Sequence, residues 1–269
     1  MTDNMEQRPH KEEAESVPSA DENVAMKSFG KRMLNAGAEV LVAGLIYLLV
    51  SIAMTWPMII HPQEVILGGG ELGGWLWRQW WHFEEVRSLD SIDLGIIGTI
   101  ETLVSLGRFP ETGNILDLLL LSYPLRDWVG TPFDHNLKIL IILVGNGVCG
   151  YALARSFTDS RLVSLAAGVI AMINPLVIQD INKIGLRQTL LWWLLLFPIT
   201  LQRAGRRGRV LDGVLVGLLY TLIAAFYWFY GLFAAMFGVI WLSWWWFKTR
   251  PPFAVARRWL IPAGVVAVF

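Results

Sequence analysis

A long polar stretch between two apolar runs, residues 61–136, carries a series of carboxylates from Glu64 to Asp134. Carboxylates are the groups that serve as general bases or as ligands for hard metal ions. Glu71 is set apart from the others by Gly68, Gly69 and Gly70 just before it. Glycines let the backbone turn tightly and bring a carboxylate close to a ligand. A lone acidic residue in a turn is equally at home in water. Lys183 and Arg187 lie four apart, so on a helix they share a face and can hold a phosphate or pyrophosphate. Snorkelling to lipid headgroups is the structural alternative. Asp180 and Asn182 stand at the same level, either complementing those cations or simply ending the apolar run before them.

Other chemistries lack their residues. No HExxH, P-loop, GxGxxG or GxSxG pattern occurs, and His10, His61, His82 and His135 have no metal-ligand spacing. Cys149 is the lone cysteine, so the chain has no disulfide framework and no cysteine metal site. The net charge is zero and no basic stripe is interleaved with aromatics, which argues against nucleic acid as a partner.

The elements that must position these residues belong to a membrane protein. Hydrophobic residues make up 55 % of the chain, charged residues 16 %, and there are 14 tryptophans. Residues 36–60 form a first apolar run, long enough to cross a hydrocarbon core of about 30 Å. Residues 139–157 and 162–178 predict two more spans, and 189–201, with Pro198 inside, a fourth that starts near Ile184 and tilts. Residues 211–247 would extend about 55 Å as one helix, too long for one crossing. They fold back at Tyr227, Trp228, Phe229, Tyr230 and Gly231, an interfacial turn giving two spans. A seventh begins at Trp259 and is cut off at Phe269. The fold class is therefore all-α: a transmembrane bundle of six complete spans and a truncated seventh within residues 35–269. Residues 1–34, polar and mixed in charge, are expected to be a disordered cytoplasmic N-terminus. Within the spans nearly every ionisable residue lies near an end, so the buried relay of an ion-coupled transporter is missing.

Orientation follows from lysine and arginine. Residues 155–161, 203–209 and 248–258 together hold ten basic residues, which places them and the N-terminus in the cytoplasm and the loop 61–136 outside. In that loop Trp77, Trp80, Trp81 and Glu84 recur at helical spacing, with Trp75 and Phe83 nearby. Such a helix lies along the outer membrane surface, as an interfacial anchor or as one wall of a lipid-substrate groove. Residues 94–106 and 115–121 are apolar but too short to span. Small residues in the spans, including Gly145, Gly147, Gly150, Gly168 and the pair Gly213 and Gly217, suit close helix packing. Asn146 and Asn174 are expected to hydrogen-bond between helices.

The order of short motifs resembles a known group. A span ends in Thr55, Trp56 and Pro57, followed by His61 and Pro62; then come GGGELGGWLWRQWW at residues 68–81 and Ser122, Tyr123, Pro124. GYALARSFTDSR at 150–161, AAGVIAMINP at 166–175, and a span from Gln188 and Thr189 to Pro198 continue the series. This is similar to the N-terminal membrane module of bacterial GT-C superfamily glycosyltransferases, which use sugars linked to polyprenyl phosphate. The resemblance covers most of residues 36–247. It implies a protein of the bacterial cytoplasmic membrane that transfers a sugar from that lipid donor to an acceptor at the outer face. Glu71 would be the catalytic base or the contact to a divalent cation, in place of the more usual Asp. Lys183 and Arg187 would hold the donor phosphate, with Asp180, Tyr123 and Arg78 in support. Arg126 stands where related families tend to have Gly. The alternative is a non-catalytic membrane scaffold or export partner whose external loop binds another envelope protein.

Overall fold

In the computed structural model of the protein the backbone is described for residues 20–69, 73–74, 77, 130–183 and 188–268. Every element among them is a helix: α1 (Ala20–Met54), α2 (Thr131–Arg155), α3 (Arg161–Ile173), α4 (Pro175–Lys183), α5 (Trp192–Arg207), α6 (Val210–Phe226), α7 (Trp228–Thr249) and α8 (Phe253–Val268). Among the described residues four stretches are long and apolar enough to cross a membrane: Ala36–Met54, Pro132–Arg155, Arg161–Asn182 and Trp228–Thr249. Helix α6 is apolar but shorter, over Val210–Ala225. By contact the chain divides into two compact units, Met1–Val42 and Ala43–Phe269. In the first, Val40, Leu41 and Val42 are all exposed on α1.

Several boundaries differ from the expected ones. Residues 20–34, expected to be disordered, are helical. Ala20, Glu22, Ala25, Met26 and Lys27 are good helix formers without an intervening proline, and extending an existing helix is far easier than nucleating one. The first apolar helix stops at Met54, not Ile60. Ser51 and Thr55 hydroxyls donate back to the carbonyls of Tyr47 and Ser51 at 2.8 Å each, and Pro57 cannot continue the ladder. Helix α2 begins at Thr131, so it takes in Asp134, His135, Asn136 and Lys138, polar residues ahead of the expected start at Ile139. The third apolar stretch is two helices. Asn174 stands between them in extended conformation, its Nδ2 donating to Ala171 O at 3.0 Å and its Oδ1 accepting from Val177 N at 3.1 Å. Asn174 therefore caps its own helices instead of bridging to others, because Pro175 has removed the backbone donor there.

Within the second unit, helices join where side chains are absent. Tyr47 of α1 is fully buried; its ring covers Gly147 of α2, where a Cβ would sit 2.7 Å from the ring. Its hydroxyl donates to Leu165 O of α3 at 3.2 Å. Gly150 of α2 meets Ala171 of α3. The Gly213 and Gly217 pair brings α6 onto the backbone of Trp259 and Ala263 in α8, with a Cβ at Gly217 landing 2.6 Å from Ala263 O. These contacts match the expected role of the small residues. Gly217→Leu should force α6 from α8 and lower stability by roughly 1–3 kcal/mol, read as thermal unfolding in detergent. An unchanged unfolding temperature would mean that α8 does not pack there.

The break expected in 211–247 is found at Tyr227, a single non-helical residue between α6 and α7. Tyr230 anchors it by donating to Gln188 O at 2.6 Å. The other face of α7 is left exposed and apolar, through Val239, Ile240 and Phe247 among others, a surface larger than water tolerates and suited to hydrocarbon.

Candidate functional site

Three segments of the second unit are linked in series. The first is the start of α2, where Pro132 occupies the first turn and Asp134 follows it, a favourable position for negative charge at a helix N-terminus. Asp134 pairs with Lys138 at 2.8 Å, and both side chains are only 3 % exposed. Two opposite charges taken from water together hold only with close geometry such as this.

The second segment is the beginning of the long polar stretch, laid across α2. Asn136 Nδ2 donates to Pro62 O at 2.9 Å and to Val65 O at 2.6 Å, and His135 Nε2 lies 3.3 Å from Leu67 O. The chain then turns at Gly68, whose φ of 142° is open to glycine and costly for other residues. Gly69 comes next and rests on the third segment, the end of α4: a Cβ there would lie 3.3 Å from Asn182 O. On α4 itself Asp180 is buried, 1 % exposed, and its Oδ2 has no hydrogen-bond partner among the described residues. A buried carboxylate oxygen left in that state calls for an explanation, and within an apolar helical stretch the first one to test is function.

Non-helical backbone also packs on α2. Residues 188–191 run without helix alongside the middle of α2, where buried Asn146 donates to Thr189 O at 2.8 Å and accepts from Leu191 N at 2.9 Å. Trp192 follows, its Nε1 donating to Ile142 O at 3.2 Å while its ring lies over Gly145. Irregular backbone among apolar helices is tolerated only when protein groups satisfy it, and the Asn146 amide does so in both directions. Asn146 is expected to bond to another helix; its partners are instead backbone groups of the irregular segment that leads into α5. The expected fourth span begins as this irregular segment and becomes helical only at Trp192, so α5 has 16 residues, about 24 Å at 1.5 Å per residue.

The sequence-derived site residues fall unevenly on this arrangement. Asp180 lies in it. Lys183 is the last residue of α4; Glu71, Arg78, Tyr123 and Arg187 lie outside the described residues. In the tryptophan-rich run, Gly73, Gly74 and Trp77 are helical. Among the described residues no three His, Cys, Asp or Glu side chains are grouped as metal ligands. Hydropathy reading missed the Asp134–Lys138 pair and the two-sided use of Asn146. Opposite charges at i and i+4 beside an apolar run were the signal for the pair.

Comparison with protein-family models, curated proteins and solved structures finds no match. What the fold defines is a class: an all-helical protein with helices long and apolar enough to span a membrane, in which residues 62–67 are tied to α2 and Gly69 rests on the end of α4.

Proposed function

We propose that the chain is a GT-C-type membrane glycosyltransferase, transferring a sugar from a polyprenyl-phosphate donor at the outer face of a bacterial cytoplasmic membrane. In this reading it has six complete crossings and the start of a seventh, with its N-terminus in the cytoplasm. Residues 188–207, irregular and then helical, make the fourth crossing. The observation that carries the proposal is the contact of Gly69 with the end of α4. It sets Gly69 beside the end of α4, which supports a reading in which Glu71, two residues further along the chain, acts together with Lys183 and Arg187. Buried Asp180 adds a fixed polar group there.

The chemistry follows from the donor. Its lipid stays in the bilayer while the anomeric carbon reaches the interface. Glu71 takes the proton from the acceptor hydroxyl, the acceptor oxygen bonds to the anomeric carbon, and the bond from that carbon to the phosphate oxygen breaks. Lys183 and Arg187 neutralise the charge that collects on the leaving phosphate. A divalent cation, where bound, would share that neutralisation. Glu71→Gln should lower transfer by about 100-fold or more with expression and detergent solubility kept. An unaltered rate in that variant removes Glu71 from the mechanism.

A further inference from the structure

A second charged surface lies on the turns from α5 to α6 and from α7 to α8, away from the groups invoked above. The α5–α6 turn packs on the start of α8, where a Cβ at Gly208 would lie 2.9 Å from Val255 Cγ1, and Gly205 of α5 faces Trp241 and Trp245 of α7. Between them, residues 203–212 and 248–258 carry Arg203, Arg206, Arg207, Arg209, Lys248, Arg250, Arg257 and Arg258 against a single carboxylate, Asp212. That carboxylate is buried and already taken by Arg203 Nε at 2.7 Å. The other seven cations are exposed. Lys248 also lies over the Trp244 ring, 4.7 Å from its centre.

Charge alone would suit any acidic partner, but the setting narrows the choice. Large apolar side chains stand exposed directly beside the cations: Leu211 next to the α5–α6 turn, Phe247 and Phe253 on either side of the α7–α8 turn, the last two 79 % and 71 % exposed. A soluble acidic protein would leave such groups in water or have to cover them. An amphiphile meets both, its anionic head on the arginines and its chains along the apolar side chains. We infer that these paired turns form a binding site for an anionic phospholipid with two phosphates, of the cardiolipin type. Basic pockets between membrane helices favour such heads, and each cation near the surface strengthens binding.

The test is native mass spectrometry of the full chain released from nanodiscs containing cardiolipin or only phosphatidylcholine. Wild type should retain cardiolipin selectively. Arg206→Gln with Arg207→Gln, and separately Arg257→Gln with Arg258→Gln, should each reduce retention about tenfold or more. A control pair at the α2–α3 turn, Arg155→Gln with Arg161→Gln, removes the same charge and should retain the lipid. Circular dichroism confirms the helical fold of each variant, and two independent pairs guard against misfolding in one. Equal retention of cardiolipin and phosphatidylcholine by wild type overturns the site. Equal loss in the control pair reduces it to bulk charge and overturns it too. Polyglutamate that still binds in cardiolipin nanodiscs would reassign the surface to an acidic protein.

Discussion

Replacing Lys138 by Met is expected to destabilise the protein by roughly 3–5 kcal/mol, the usual consequence of removing one member of a buried ion pair. The Asp134 carboxylate would stay at 3 % exposure without the ammonium that now stands 2.8 Å away. Asp134→Leu should have a smaller effect of the same sign, since Lys138 has a longer stem with which to reach water. The double variant Asp134→Leu, Lys138→Met should recover most of the loss, because a buried pair exchanged for apolar groups of similar volume is commonly neutral. Urea or thermal unfolding in mixed micelles measures all three. Single substitutions that each cost less than about 1 kcal/mol would show the pair to be solvated, as exposed ion pairs are.

Asn146→Leu should be comparably severe. The side chain is isosteric enough to fill its place, but Thr189 O loses a donor at 2.8 Å and Leu191 N an acceptor at 2.9 Å. Each buried backbone group so stranded costs about 1–3 kcal/mol. The consequence should be local as well as global. Residues 188–191 hold the start of α5 and, through Gln188 O, the Tyr230 hydroxyl at the head of α7. Amide exchange measured by mass spectrometry should therefore rise in peptides covering 188–195 and 227–232 before it rises in α6. Uniform exchange changes, or none, would show that the irregular segment is held by packing and not by Asn146. Tyr230→Phe supplies a milder comparison, removing one hydrogen bond worth about 0.5–1.5 kcal/mol.

What hydropathy and turn chemistry could deliver is visible in particular elements. The apolar runs were legible because burial in protein and burial in lipid both select the same residues, and the break at Tyr227 was legible because no single helix of that length fits a bilayer. The glycines of α2, α3 and α6 announced close packing, and the structure puts side chains of α1 and α5 and backbone of α8 on them. The start of α2 was not legible in the same way. Asp134 and Lys138 lower the hydropathy of their window, yet each supplies what the other needs, and hydropathy adds residues singly without registering such pairs. Asn174 and Asn146 illustrate the same limit. Both are asparagines in apolar runs, but one neighbours Pro175 and turns inward to its own helices, while the other meets backbone 43 and 45 residues away. Of the candidate site, the glycine turn and Asp180 were marked by residue type. The contact of Gly69 with Asn182 goes with the ties of Asn136 and His135 to residues 62–67, long-range contacts that no local pattern records.

The most direct measurement is binding of a polyprenyl phosphate to the purified protein in detergent, wild type beside Lys183→Ala with Arg187→Ala. The proposed function requires saturable binding by wild type, dependent on the phosphate, that falls at least tenfold in the double variant as two charge-assisted contacts are lost. No binding by folded wild type, or equal binding by both proteins, would contradict it and turn attention to a scaffold whose outer loop is crosslinked to a partner.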